Sequence, residues 1–268
     1  MPIIQPRTCY TNVVGYQNKA NREGFNYFAP TFIQIDGGKK VNLQDIQMGP
    51  DVSTGMAEIQ ILGANQVTTE TYTWYKNRSD GKVGPSGARI DAPKANGAWF
   101  LYDEENDEYS YVDDLEFDYG DCIQLTAEED AETLVSGQVT DDDVLFADTS
   151  AAREGFNYFG NPYPSEISIH DVQMGSDVST GMAEIQVLGA NQVTTETYTW
   201  YKNRTDGKVG PSGARVDAIE GSNGAWFLYD EENDEYSFAD RKFAAGEGFQ
   251  LTAEEGAEVT ILAPFELN

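Results

Sequence analysis

Residues 51–92 and 177–218 are copies of one another: 39 of 42 positions are identical, and the three changes (Ile61/Val187, Ser79/Thr205, Ile90/Val216) are conservative. GAWFLYDEENDEYS recurs unchanged at 97–110 and 224–237. Weaker matches lengthen the unit: REGFNYF at 22–28 and 153–159, and QLTAEE at 124–129 and 250–255. A unit of about 125–130 residues has the length of an independent domain and is too long for a solenoid repeat. The chain therefore reads as two domains, residues 1–140 and 141–268, joined at the acidic run Thr140-Asp141-Asp142-Asp143. Whatever one copy folds into, the other must also adopt.

Within a copy the apolar pattern has period two. Thr71-Tyr72-Thr73-Trp74-Tyr75 is rich in residues that favour a pleated surface, and Ala57–Leu62 alternates before Gly63. The runs 98–102 and 108–112 flank a polar loop, 103–107, and predict a β-hairpin. Gly and Pro punctuate the chain about every ten residues, as in Val83-Gly84-Pro85-Ser86-Gly87, and Asp36-Gly37-Gly38-Lys39 reads as a hairpin turn. No long stretch carries a capped helical stripe, although a short helix fits Leu43–Met48. The expectation is all-β: two tandem, duplicated β-sandwich domains, jelly-roll-like in style.

The formal charge is −29, with 17 Lys+Arg against 46 Asp+Glu. Such a chain lacks the basic face that nucleic acid requires and is disfavoured on an anionic membrane surface. It is not a disordered acidic tail, because 15 Tyr, 13 Phe and 4 Trp can fill a core. No run approaches the roughly 20 apolar residues of a membrane span. The start, Met1–Arg7, lacks a basic-then-apolar signal peptide, so either export does not use that route or the signal has been removed. The abundance of Asn, Gly, Thr and Tyr and the scarcity of Lys favour the second alternative. The two cysteines, Cys9 and Cys122, have no Cys counterparts in the second repeat, where Gly248 aligns with Cys122. They are either separate buried thiols or a disulfide closing a long loop in the first domain only.

Repeat two opens with GFNYFGNPYPSEI at 155–167 and ends with Gly246-Glu247-Gly248-Phe249-Gln250-Leu251. With the Trp-Phe hairpin between them, these motifs resemble uncharacterised tandem β-sandwich modules of secreted or surface bacterial proteins. Those share a G-[FW]-N-x-x-[GA]-N-P-[YF] start and a G-E-G-F-x-[VL] end. Repeat one departs from the pattern, with Ala29-Pro30-Thr31-Phe32 and Gly120-Asp121-Cys122-Ile123 at the two places. The resemblance implies fold and an extracellular or cell-surface location; no catalytic residues come with it.

Residue chemistry gives little support to an enzyme. His170 is the single histidine and Gln44 stands opposite it in repeat one, so a duplicated Ser-His-Asp, Cys-His or His-zinc site is ruled out. There is no glycine-rich phosphate cradle. Carboxylates are abundant, but they cluster in turns rather than around a cleft. The oxygen-rich loops 103–108 and 230–235 raise calcium as a ligand, through Asp103, Glu105, Asp107, Asp230, Glu232 and Asp234, although no EF-hand spacing is present. Trp74, Tyr75, Trp99 and Tyr102, with Trp200, Tyr201, Trp226 and Tyr229, suit either core packing or a glycan-stacking platform.

Charge is distributed unevenly. Lys76, Arg78, Lys82 and Arg89 lie in 76–89 with Asp80 as the only acid, and Lys202, Arg204, Lys208 and Arg215 repeat them. Residues 103–118 hold nine acids and no base, among them Glu104, Glu108, Asp113 and Asp114. Complementary fields of this kind can drive head-to-tail association, and a heterologous contact that does not close makes filaments. The strand-like segments Ile3–Val14 and Val259–Phe265 offer a second route, by addition to a neighbour's sheet edge. The leading functional reading is a non-enzymatic extracellular structural protein that self-assembles into a homo-oligomer, fibre or surface layer. The alternatives are a glycan- or ligand-binding adhesion module and a virion structural or decoration protein.

Overall fold

The computed structural model describes residues 10–17, 25–31, 40–63, 67–118, 120–138, 144–146, 156–189, 191–254 and 256–264. Cys9, the Asp36–Lys39 turn and the acidic run 140–143 lie outside the described residues. The chain is all-β, as the period-two pattern predicts, and the same set of sheets occurs twice. In repeat one a six-stranded antiparallel sheet has the order Glu108–Tyr111, Gly97–Asp103, Thr68–Lys76, Glu58–Leu62, Ile123–Thr126, Asn26–Phe28. Repeat two has Glu235–Phe238, Gly224–Asp230, Thr194–Lys202, Glu184–Leu188, Gly248–Thr252 and Asn157–Gly160 in the same order.

A three-stranded sheet covers one face of each large sheet: Tyr10–Gln17, Glu132–Gln138 and Ile46–Met48 in repeat one, Val144–Phe146, Val259–Ile261 and Val172–Met174 in repeat two. Between the two layers lies a core drawn from its own repeat. In repeat one Ile59, Tyr72, Trp74, Trp99 and Leu125 come from the large sheet and Ile46, Met48 and Val135 from the small one. Alternation along Thr68–Lys76 sends Trp74 inward, where it packs edge-on against its cross-strand neighbour Trp99 with ring centroids 5.2 Å apart. Tyr75 points to the opposite face and joins a smaller cluster with Val83, Ala98 and Phe100.

The helix expected over Leu43–Met48 is shorter than that. Leu43–Asp45 forms one 3-10 turn, with the Asn42 side chain accepting the Gln44 N–H, and Ile46–Met48 then runs as a strand. The β-branched Ile46 leaves the turn because its strand finds partners at Thr133–Val135. Val259–Ile261 is the central strand of its sheet, paired on both edges, so this segment is not available for addition to a neighbour. Tyr10–Gln17 also pairs within its own repeat, but as the edge strand of its sheet, with a strand partner on one side only among the described residues.

The motifs behind the family resemblance are structural. Asn161 is fully buried: its Nδ2 donates to the carbonyls of Ser165, Phe243 and Ala244, and its Oδ1 accepts the Tyr163 N–H. Tyr163 is also fully buried and donates its hydroxyl to the Ile261 carbonyl at 2.8 Å. In the closing motif, Gly246 has φ +71, Glu247 accepts from Ala244 N–H and pairs with Arg241, and Phe249 enters the core.

Candidate functional site

The basic loop is a folded cap rather than a free tether. Lys82–Val83 and Ile90–Asp91 form a two-residue ladder, and Val83, Ala88, Ile90 and Ala92 lie over Phe100 on the outer face of the large sheet. Gly84 makes this approach possible: its φ is +106, and a Cβ there would stand 2.5 Å from the Phe100 ring. Asp80 and Asp91 take up part of the charge. Arg78 pairs with Asp80 at 3.1 Å and Lys82 with Asp91 at 2.6 Å, and both carboxyls are held below the usual range by these partners. Arg204–Asp206 at 3.3 Å and Lys208–Asp217 at 2.6 Å repeat the arrangement. Lys76 and Lys202 donate to the carbonyls of Pro50 and Ser176. Arg89 and Arg215 are exposed and make no salt bridge among the described residues.

The acidic turn stands at the far end of the same strand. Asp103 pairs with Glu108 across the expected hairpin, and the Asp103 carboxylate accepts the N–H groups of Glu105 and Asn106 and the Asn106 side-chain amide. Asp107, at φ +52, accepts the Tyr102 hydroxyl at 3.0 Å. Asp230 and Asp234 make the same bonds in repeat two. The four aspartates of the calcium-type set, Asp103, Asp107, Asp230 and Asp234, thus serve the turn itself, while its two glutamates, Glu105 and Glu232, are exposed like Glu104, Glu108, Glu231 and Glu235. Among the described residues no group of three or more His, Cys, Asp or Glu is arranged to hold a metal ion. Asp113 and Asp114 follow the other end of the edge strand Glu108–Tyr111, so the structure does not group them with Glu104. The seven-residue strand Gly97–Asp103 spans about 20 Å, but the basic loop is folded back over Phe100, about 10 Å along the strand from Asp103. That is close to a Debye length of about 8 Å at physiological salt.

The two repeats meet through a ring of four strand segments. Asn26–Phe28 pairs on one side with 123–125 and on the other with the start of the second repeat's closing strand, where Phe28 bridges Glu247 and Ala29 N–H donates to the Gly246 carbonyl at 2.8 Å. The counterpart Asn157–Gly160 pairs with 248–251 and with 120–122: Phe159 bridges Asp121, Gly160 N–H donates to Gly120 at 3.1 Å, and Cys122 N–H donates to Tyr158 at 3.1 Å. Each of these backbone contacts has its counterpart with the repeats exchanged, which defines an approximate two-fold axis. All four junctions of the ring are antiparallel, so 123–126 and 248–252 run in the same direction and the axis lies along the strands. Tyr27, Tyr158 and Cys122 crowd this region; burial drives all three acid dissociations upward, that of Tyr158 to about 12. A side-chain relay, Gln192 to Gln124 at 3.0 Å and Gln124 to Gln60 at 2.5 Å, extends from the junction across the first sheet.

This direction sets the sense of the charged strands. In each repeat three antiparallel steps lead from the ring strand to Gly97–Asp103 or Gly224–Asp230. Sheet twist of about 20–25° per step accumulates to about 60–75° over the three steps, so the two charged strands diverge from the ring direction, each with its basic loop near its start and its acidic turn at its end.

The aromatic platform is not made of tryptophan. Trp74, Trp99, Trp200 and Trp226 are all fully buried in their own domains. Tyr75, Tyr102, Tyr109 and Tyr111 are half-buried on the outer face, with Tyr102 and Tyr109 tilted by 34° rather than coplanar. His170 is a half-buried strut: it holds the same position as Gln44 and bonds the neighbouring backbone. No helix among the described residues is long and apolar enough to cross a membrane. The ring escaped the sequence reading because its contacts join residues far apart in the chain; its visible traces are the places where the repeats differ. No protein-family model matches this chain, and neither a curated protein nor a solved structure shows significant similarity to it.

Proposed function

We propose that the chain is a non-enzymatic extracellular structural protein whose copies associate end to end, the basic loops of one molecule against the acidic turns of the next. The observation that carries this reading is the segregation of charge. In each repeat a folded loop bearing exposed Arg89 or Arg215 lies near the start of one strand, and a turn bearing exposed Glu104 and Glu105, or Glu231 and Glu232, closes its other end. A contact between unlike ends is heterologous and propagates. Each chain carries two such loops and two such turns, so one kind of contact recurs along an assembly. The internal ring, by contrast, is closed by its two-fold relation and does not propagate. The extracellular setting rests on composition and on the motif resemblance.

Negative-stain microscopy and light scattering of the full chain across increasing salt test the reading. Linear particles are expected at low salt and shorter ones as the Debye length falls from about 10 Å at 0.1 M to 3 Å at 1 M. Arg89→Glu with Arg215→Glu is expected to abolish them. A strictly monomeric wild-type particle at every salt concentration, with and without calcium, would overturn the proposal.

A further inference from the structure

Two positions lie on the two-fold axis, and at each of them a residue faces its own counterpart. A Cβ built on Gly248 runs into the Sγ of Cys122, its equivalent in repeat one, and stands 2.8 Å from Tyr27. A Cβ built on Gly160 lies 2.7 Å from the Cβ of Ala29, again its equivalent. Both distances are shorter than real Cβ contacts, and at both positions the obstacles include backbone or Cβ atoms. Neither glycine is required by its own backbone, since neither adopts a positive φ. At both axis positions there is room for one side chain, and both times repeat one supplies it and repeat two leaves the space. The repeats differ at other places too, but these two differences fall where a residue meets its own counterpart and a second Cβ would clash.

We propose that Cys122/Gly248 and Ala29/Gly160 form a pairing code, by which the ring surface of repeat one accepts a repeat carrying glycine at both positions and rejects another copy of itself. The partner it fits is the second repeat of its own chain. A ring of two first repeats, from two copies of the chain, would bring Cys122 against Cys122 and Ala29 against Ala29. The code thus keeps the ring inside the molecule and leaves the charged ends for contacts between molecules. The inference is independent of whether those contacts form.

Amide hydrogen exchange on the full chain in reducing buffer tests it, read at Ala29, Gly160 and Cys122, whose N–H groups bond across the ring. Trp74 and Trp200, whose N–H groups bond Ala57 and Ala183 within each sandwich, serve as the internal reference. Gly160→Ala with Gly248→Cys is expected to lower protection at the ring amides at least tenfold while the reference amides keep theirs. Adding Ala29→Gly and Cys122→Gly exchanges the roles of the repeats and is expected to restore ring protection to within about threefold of wild type. The code is overturned if the double variant keeps its ring protection, or if the fourfold exchange is no better protected than the double. Should the double variant not fold, the fourfold exchange decides alone: wild-type ring protection supports the code and failure to fold overturns it.

Discussion

His170 Nδ1 accepts the backbone N–H of Trp226 at 3.4 Å, and Nε2 on the other side of the ring lies 3.0 Å from the Ala239 carbonyl. In the first repeat Gln44 does both jobs, accepting from Trp99 N–H and donating to the Val112 carbonyl. A carbonyl can only accept, so the imidazole is neutral with its proton on Nε2. Burial lowers its pKa from the ordinary 6.5, against the opposing pull of the Ala239 carbonyl, Asp171 and Asp240. Phe238 stacks on the ring at 4.5 Å and adds no charge. A depressed histidine pKa means that the unfolded chain binds more protons, so this contribution is complete above about pH 6.5 and is lost as pH falls towards the folded-state value. Thermal melts of His170→Gln should match wild type at pH 7.5 and exceed it at pH 5, by about 1 kcal/mol for the retained hydrogen bond. An unchanged difference between the two pH values would show that His170 is not the titrating group.

The four tryptophans are equally buried but differently bonded. Trp99 Nε1 donates to the Ile46 carbonyl at 2.6 Å and Trp226 Nε1 to Val172 at 2.7 Å, whereas Trp74 Nε1 is buried with no hydrogen-bond partner. Trp99→Phe leaves a buried carbonyl unsatisfied as well as a smaller ring, and should lower stability by roughly 2–4 kcal/mol. Trp74→Phe removes a donor that already lacks a partner and should cost about 1–2 kcal/mol less. Denaturant titration of the two variants checks the order; equal losses would mean that the indole bond contributes nothing.

Gly84 and Gly81 both have positive φ, yet only one is hemmed in. A Cβ on Gly84 meets Phe100, while one on Gly81 meets nothing within 4 Å. Gly81→Ala should therefore cost about 1 kcal/mol for the backbone alone. Gly84→Ala should also lift the basic loop from the sheet, seen as faster exchange of the Ala92 amide, which bonds the Gly81 carbonyl. If both variants behave alike, the packing of the loop on Phe100 does not hold it in place.

Much of a single domain was legible in the sequence. Alternation through Trp74 and Tyr75 marks which ring enters the core, and the DEENDE turn marks its hairpin, because both are local signals. The helical turn stops at Asp45, short of the Leu43–Met48 expectation, because Ile46–Met48 pairs with strand Glu132–Gln138, some 85 residues away, rather than following its own propensity. The Trp residues leave two readings open for a related reason: alternation sets two faces apart but does not say which is covered. The relation between repeats depends on backbone pairing at Phe28 and Phe159, where the sequences are identical and carry no trace of a partner. The trace lies at Cys122 and Ala29, where glycine stands in the second copy.

Asp121 should give the ring a pH dependence opposite in sign to that of His170. It sits at the bridge to Phe159, and burial raises its pKa from 3.8 to about 6. Asp118 adds to the rise as a charge while its N–H donates to the carboxylate at 2.9 Å, and Lys40 opposes it. Here the folded chain binds more protons than the unfolded one between pH 4 and 6. Stability from this group is therefore greatest below about pH 4, declines as pH rises to about 6, and stays reduced above it. Asp121→Asn keeps the acceptor for Asp118 N–H and removes the charge. At pH 7 it should be more stable than wild type by on the order of 2 kcal/mol, a figure reduced for partial solvent access. At pH 4 the two should melt together. A variant no more stable at pH 7, with the wild-type slope retained between pH 4 and 6, would place that titration elsewhere.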